Sequence, residues 1–292
     1  MISAFLNLNK ERGMTSAKAV AKVKHLLLEK GVKPEKIGHF GTLDPDGEGV
    51  LPIALGRATR LFDIIKNDKI YYTEFVFGKT TDTLDGSGVF SEVIGNVPSE
   101  KEILSVIPSL VGRIMQLPPK YSAKSVNGRR AYDLAREGKE FDLKAKEIEI
   151  YSIDYLGKVD SAFAFRVSCS TGTYIRSLVR DMASALGTVG YMRLIRREQC
   201  GIFKLDDAVC LDEIAAVNDV TDLFIPMDAV LSFLPTYNLT DNAEGARLIL
   251  NGVPLQLSGM PEGVFQMNID GKLCGLGVKN EEGRFNWVVR LI

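Results

Sequence analysis

The strongest constraint in this chain is a loop that can be neither helix nor regular strand. Residues 38 to 49 read Gly-His-Phe-Gly-Thr-Leu-Asp-Pro-Asp-Gly-Glu-Gly, with four glycines and a proline around Asp44. Glycine adopts backbone angles that other residues avoid, and Pro45 fixes its own φ and restricts Asp44 to extended geometry. The loop is a shaped platform, and Asp44 is its most constrained charged group. The apolar run Val50-Leu51-Pro52-Ile53-Ala54-Leu55 that follows is expected to be buried and to anchor it. Taken alone, Asp-Pro-Asp-Gly is a common turn. The acidic spacing Asp44, Asp46, Glu48 also imitates a calcium loop, but such a loop needs a bidentate Glu at its twelfth position, where this chain has Leu55.

An apolar fraction of 46% and a charged fraction of 25% over 292 residues suit a folded chain with one large domain and a small one. No apolar run approaches a membrane span, and Met1-Ile2-Ser3-Ala4-Phe5 lacks the basic start of a secretory leader. No membrane association is expected, and the cytoplasm is the expected location. Cys169, Cys200, Cys210 and Cys274 are scattered without a Cys-x-x-Cys pair, which suggests neither disulfides nor zinc. Cys169 alternates with Phe163, Phe165 and Val167, the pattern of a small core residue. His25 and His39 are too few and too far apart for a histidine metal site. The expectation is no metal.

Charge is unevenly distributed. Residues 1 to 204 carry 31 Lys+Arg against 24 Asp+Glu, and residues 205 to 292 carry 5 against 13. A basic body followed by an acidic region places any nucleic-acid contact on the first part.

Thr15 or Ser16 is positioned to cap a helix with Val20, Val23 and Leu27 on one face, ending near Gly31. Residues 70 to 77 are aromatic and β-branched and read as a strand. Ser99-x-x-Glu102 reads as a capping box that opens a helix toward Leu110. Strands over 148–156 and 162–169 lead into Ser170-Thr171-Gly172-Thr173, and a helix runs from about Tyr174 to Leu186, closed by Gly187. This irregular order predicts an α+β fold, a mixed or antiparallel central sheet flanked by helices. Beyond Pro226-Met227-Asp228 the texture shifts to short strand-like runs.

The string Gly38-His39-x-Gly41-Thr42-Leu43-Asp44-Pro45, followed by Gly49-Val50-Leu51-Pro52, resembles the signature of the bacterial TruB-type tRNA pseudouridine-55 synthases. Further motifs follow in that family's order: Gly13-Met14-Thr15-Ser16, Asp68-Lys69-Ile70-Tyr71, the stretch from Pro118 to Arg136, Gly172-Thr173-Tyr174-Ile175-Arg176, and Ile195-Arg196-Arg197 with Gly201-x-Phe203. Glu11 stands where the family usually has proline, and Ser125 where it usually has lysine. The resemblance implies a pseudouridine synthase catalytic domain over residues 1–232 and a small PUA-like β-rich domain over 233–292. It implies isomerisation of uridine 55 in the TΨC stem-loop of tRNA, without cofactor or metal, by a monomer with no obligate protein partner.

It also implies roles. Asp44 is the catalytic carboxylate, Arg176 pairs with it, and Tyr71 stacks on the target base, a job for which every base offers a π-face. Strand alternation sends only one of Tyr71 and Tyr72 toward the site. Tyr174 and Ile195 wall the uridine pocket, and His39 contacts RNA near the extruded base. Arg176 falls in the first turn of its helix, where the macrodipole disfavours a cation unless an anion meets it. Between Arg113 and Lys146 nine Lys/Arg stand against four Asp/Glu, interleaved with Tyr121, Tyr132 and Phe141. Lys120, Lys124, Arg129 and Arg130 there, with Arg196 and Arg197, are the expected phosphate contacts. Two rivals from other classes are a tRNA-binding folding chaperone without essential catalysis and a calcium- or phosphate-binding loop protein, and a guide-RNA-dependent synthase is an alternative within the enzyme class.

Overall fold

The apolar run after the glycine loop is the second strand from one edge of a large sheet. In this computed structural model, strand β1 (Ala4–Lys10) pairs antiparallel along its whole length with β3 (Glu48–Leu55), and β2 (Ile37–His39) pairs with the far end of β3. From Gly49 to Leu55 every residue of β3 is buried. The structure describes the chain apart from residues 1, 66, 93, 123, 124, 127, 140 and 241, and of residues 125, 126, 130, 133 and 136 it describes the backbone. The other strands are β4 (Lys69–Phe77), β5 (Gly112–Gln116), the short hairpin β6 (Ser125–Val126) and β7 (Arg129–Arg130), β8 (Lys146–Val159), β9 (Ala162–Cys169), β10 (Gly190–Cys200) and β11 (Phe203–Lys204). The sheet order is β1-β3-β10-β4-β9-β8-β5. Among the described residues of this sheet only β3 and β10 run parallel, the remaining pairs being antiparallel. The expected mixed α+β fold is present. The β3–β10 pairing matters most for the site, because it sets Arg196 and Arg197 beside Glu48 and Gly49 at the end of the glycine loop.

Helix α1 (Ser16–Glu29) starts where Thr15 accepts a hydrogen bond from the Lys18 N–H at 3.1 Å, and it buries Ala19, Val23 and Leu27. Helix α2 (Glu100–Val106) opens on the Ser99/Glu102 capping box, a short α3 (Ala131–Arg136) follows the β6–β7 hairpin, and α4 (Ile175–Ala185) ends before Gly187 at φ 65°. The left-handed turn at Gly187 is one that residues with a Cβ avoid. Helix α4 lays Ile175, Leu178, Val179 and Met182 on the sheet face formed by Phe75, Phe163, Phe165 and Val167. Each such side chain contributes about 1.5–3 kcal/mol on burial. That packing fixes the helix start, and so Arg176, against the sheet. Among the described residues no helix is long and apolar enough to cross a membrane.

A second sheet holds β12 (Thr236–Leu239), β13 (Leu255–Gln256), β14 (Val264–Ile269), β15 (Lys272–Lys279) and β16 (Arg284–Arg290), in the order β12-β14-β15-β16-β13. It has its own apolar cluster around Ile249, Phe265, Met267 and Phe285. It is also welded to the body, since Leu276 and Leu291 share one buried cluster with Phe5, Phe40, Val50, Val230 and Leu231. Arg57 Nη1 donates to the Leu291 carbonyl at 3.0 Å, and Arg60 Nη1 to that of Arg290 at 2.7 Å. Deleting residues 233–292 is therefore expected to strip a core, leaving a chain without a cooperative thermal transition. Leu276→Ala alone is expected to cost about 2–5 kcal/mol, read from the denaturant midpoint. A truncated chain that melts like the full one would contradict this packing.

Candidate active site

Both neighbours of Asp44 in sequence are held by the N-terminal segment. The buried Ser16 hydroxyl, at the start of α1, donates to the Leu43 carbonyl at 2.8 Å and accepts from the Leu43 N–H at 2.9 Å. On the other side the Pro45 carbonyl accepts from the Gly13 N–H at 2.9 Å and from Lys10 Nζ at 3.3 Å. Lys10 is almost wholly buried, and burial pushes its amine down to about 8 against the opposing pull of Asp46, Asp44 and Glu48. Motifs separated in sequence thus act as one support beneath a single carboxylate.

The carboxylate meets Arg176. Asp44 Oδ2 lies 2.8 Å from Arg176 Nη2, and the Arg176 side chain is only 7% exposed against 44% for Asp44. Both terminal nitrogens of Arg176 are engaged: Nη2 also donates to the Tyr121 carbonyl at 2.9 Å and Nη1 to the Thr83 carbonyl at 3.2 Å. A second carboxylate, Asp85 Oδ2, lies 3.5 Å from Nη1. Asp85 is itself fixed, its Oδ1 accepting from the hydroxyls of Thr83 and Ser87 and from the Ser87 N–H at 2.6–3.0 Å. The buried cation at the start of α4 is explained by these two anions. Burial pushes the Asp44 carboxyl above its usual range; Arg176 pulls it back down, and Asp85 pushes it up again.

Asp44 and Arg176 face a cleft of about 250 Å³ lined also by Tyr71, Tyr174, Ile195, Met192, Lys69 and Thr171. Tyr71 is buried at its wall, whereas the Tyr72 hydroxyl donates to Glu74 at 2.8 Å on the other face of β4. Alternation along the strand therefore selects Tyr71. Burial pushes its phenol far up, with the charge of Arg197 opposing. Tyr174 is set by Gln116, whose Oε1 accepts from its N–H at 2.8 Å while Nε2 donates to its carbonyl at 3.2 Å.

The structure thus gathers Asp44, Tyr71, Tyr174, Arg176 and Ile195 around one cleft. His39 is outside that lining. It sits half-buried on β2 opposite Ile53, with Nδ1 unpartnered among the described atoms, and burial together with Arg197 pushes its ring toward the neutral form. Lys120 is exposed. Arg129 pairs with Glu137, which Lys139 also holds at 2.8 Å. Lys124 and the Arg130 side chain lie outside the described residues. Arg196 is exposed and pairs with Glu48 at 2.6 Å.

Arg197 is a correction. Expected on the phosphate-binding surface, it has no accessible surface at all, and its guanidinium donates to the Val50 and Gly41 carbonyls. A side chain enclosed in this way cannot reach a phosphate.

Sequence reading also missed Asp85 and Gln116, and it took Ser16 as a helix cap and a motif residue without its hold on Leu43. The only local hint for Asp85 was its setting between Thr83 and Ser87, a hydroxyl-flanked aspartate of the turn-forming kind. Among the described residues no group of three or more His, Cys, Asp or Glu side chains is placed to hold a metal ion.

Fold and cleft together present one oriented carboxylate at a cleft with apolar and aromatic walls. The family model described as "TruB family pseudouridylate synthase (N terminal domain)" matches residues 29–175. The tRNA pseudouridine synthase B of Clostridium kluyveri is 38% identical over 294 residues, covering 98% of this chain and 99% of that protein. The protein of the same name from Streptococcus pneumoniae is 43% identical, covering 73% of this chain and 74% of its own. A chain in the solved structure of a Cbf5-Nop10-Gar1 complex matches with a TM-score of 0.70 at 26% identity, over 98% of this chain and 84% of that one. The chain belongs to the TruB family of pseudouridylate synthases.

Proposed function

We propose that this protein converts uridine to pseudouridine in tRNA, at position 55 of the TΨC loop, with Asp44 as the nucleophile or base. The observation that carries the reading is the Asp44–Arg176 contact of 2.8 Å at the mouth of an aromatic-walled cleft. The reaction breaks the C1′–N1 glycosidic bond, turns the base and joins C5 to C1′. C5 loses a proton and N1 gains one, so the substrate is isomerised without an oxidant or a reductant. A carboxylate is required at the ribose or the ring, and it must be ionised to act. Arg176 opposes the protonating effect of burial and fixes the direction of attack.

The target nucleotide must leave its stack to reach Asp44, a step that costs a few kcal/mol. Tyr71 stacks on the extruded uracil, with Tyr174 and Ile195 as the other walls. His39, Lys120, Lys124, Arg129, Arg130 and Arg196 contact the RNA around it. Phosphate contacts set register and affinity, and the cleft supplies the chemistry. The catalytic domain is assigned to residues 1–232, the enzyme works as a monomer, and its tRNA substrate places it in the cytoplasm.

Incubating the purified chain alone with a tRNA transcript, then mapping pseudouridine along it, tests the reading. One modified site in the TΨC loop is expected, and no modification, or modification elsewhere only, would overturn it. Tyr71→Phe is expected to keep the stacking face and the bound RNA. Tyr71→Ala is expected to lose about 1–3 kcal/mol of base stacking, and about 3–5 kcal/mol of fold stability from the cavity it opens. Full single-turnover rates in Tyr71→Ala would remove Tyr71 from the site.

A further inference from the structure

Resting on that reading, we infer that Arg197 is a positioning residue that sets the Asp44 loop and Tyr71 in one register. A guanidinium with no accessible surface carries a large desolvation penalty, and Arg197 makes no ion pair among the described residues to offset it. What it makes instead is a bridge. Nε donates to the Val50 carbonyl at 2.7 Å and Nη2 to the Gly41 carbonyl at 2.6 Å. Gly41 and Val50 flank the turn that carries Asp44, so one rigid fork ties the entry of the loop to its exit.

The backbone of Arg197 works on the same geometry from both sides. On β10 it stands opposite Gly49 of β3 and opposite Tyr71 of β4. Gly49 is at φ 99°, and a Cβ there would come within 2.3 Å of the Arg197 carbonyl oxygen, so glycine is what lets the two strands close. Under Gly41 the Arg197 Nη1 lies 3.1 Å from where a Cβ would sit, which brings the loop down onto the guanidinium. Arg197 therefore touches both ends of the Asp44 loop, stands beside Tyr71 in the sheet, and never reaches the cleft. It acts through Asp44 and Tyr71.

Lysine keeps the charge but is one bond shorter and offers a single donor point, which cannot span two carbonyls as a planar fork does. A displacement of about 1 Å between reacting groups costs on the order of 10²-fold in rate. Arg197→Lys is thus expected to lower the single-turnover rate constant at saturating enzyme by about 10²-fold. Its tRNA dissociation constant and the salt dependence of binding are expected to stay at wild-type values. Measured below the onset of unfolding, a merely structural loss would lower the reaction amplitude and leave the rate constant unchanged.

Arg197→Gln, which keeps one donor without a charge to bury, is run beside it, and whichever variant stays folded carries the measurement. A wild-type rate constant, or weakened binding with a flatter salt slope at an unchanged rate constant, would overturn the inference alone. Unfolding of both variants would also overturn it, since Arg197 would then be a residue of the fold and not of the site. A wild-type chain that forms no pseudouridine would overturn the functional reading, and the inference with it.

Discussion

Asp44→Asn is expected to abolish pseudouridine formation while leaving tRNA bound and the fold at least as stable as before. The substitution is near-isosteric, so the phosphate contacts that dominate affinity are untouched. The chemical step loses its nucleophile or base, an effect of about 10⁴-fold or more. The stability half follows from the direction of the carboxyl's shift. Burial raises the folded Asp44 above its ordinary value despite Arg176, so between the unfolded and folded values the native state binds more protons. Stability from this group is full below the unfolded value and is lost as pH rises through the folded one. At neutral pH the ionised Asp44 is thus a burden on the fold, one reduced by the 44% of its side chain still open to water. Asparagine removes the burden, and Arg176 keeps Asp85 and the Thr83 and Tyr121 carbonyls as partners. Single-turnover assays, a binding isotherm and a melting curve at pH 7 read the three expectations separately. Turnover near the wild-type rate would sink the assignment of Asp44. A folded variant that binds tRNA but makes no pseudouridine, yet supports tRNA folding as well as the wild type, would show chaperoning to be separable from catalysis.

The same residues show what a sequence displays and what it hides. Asp44 was legible because the string from Gly38 to Pro45 resembles the family's signature, whereas the turn taken alone is a common one. Arg176 was legible because a cation in the first turn of a helix asks for an anion. Asp85 was not, because the contact that gives it meaning joins positions 85 and 176 through the packing of α4 on the sheet, and no local pattern encodes that distance. Arg197 was misread for a different reason. Arg196-Arg197 looked like a basic pair, yet neighbours on a strand point to opposite faces. Ile195 walls the cleft, so the residue two further on belonged on the same inner face, and parity alone would have placed Arg197 inside. Register shifts at Met192/Leu194 and Arg197/Gln199 break that parity on either side, which limits the rule to the central part of β10. In the C-terminal part the sequence displays short, acidic strand-like runs. The docking of Leu276 and Leu291 into the body's core is a long-range contact that composition does not report.

Arg176→Met is expected to slow the reaction by about 10²–10³-fold and to move its acid limb to higher pH. In the wild-type site Arg176 is the main influence holding the Asp44 carboxyl down, against burial and against Asp85. Methionine fills much of the volume but removes the cation, leaving two carboxylates facing an apolar side chain, so that burial and Asp85 push Asp44 upward against only the smaller pull of Lys10. The pH at which Asp44 gives up its proton rises, so the fraction of active carboxylate at a given acidic pH falls. Raising the pH should recover part of the loss by ionising Asp44. It should not recover the rest, because the 2.8 Å contact that aims the carboxylate is gone. Breaking a fully buried ion pair costs about 3–5 kcal/mol. Asp44 is 44% exposed, so a smaller loss of stability, about 1–3 kcal/mol, is expected here. Single-turnover rates from about pH 5 to 9, on protein shown to be folded at each pH, separate the two effects, since ionisation shifts the limb and misalignment lowers the plateau. An acid limb that stays where the wild type has it would mean that Arg176 does not govern the ionisation of Asp44. The guanidinium would then serve to hold the Tyr121 and Thr83 carbonyls in place.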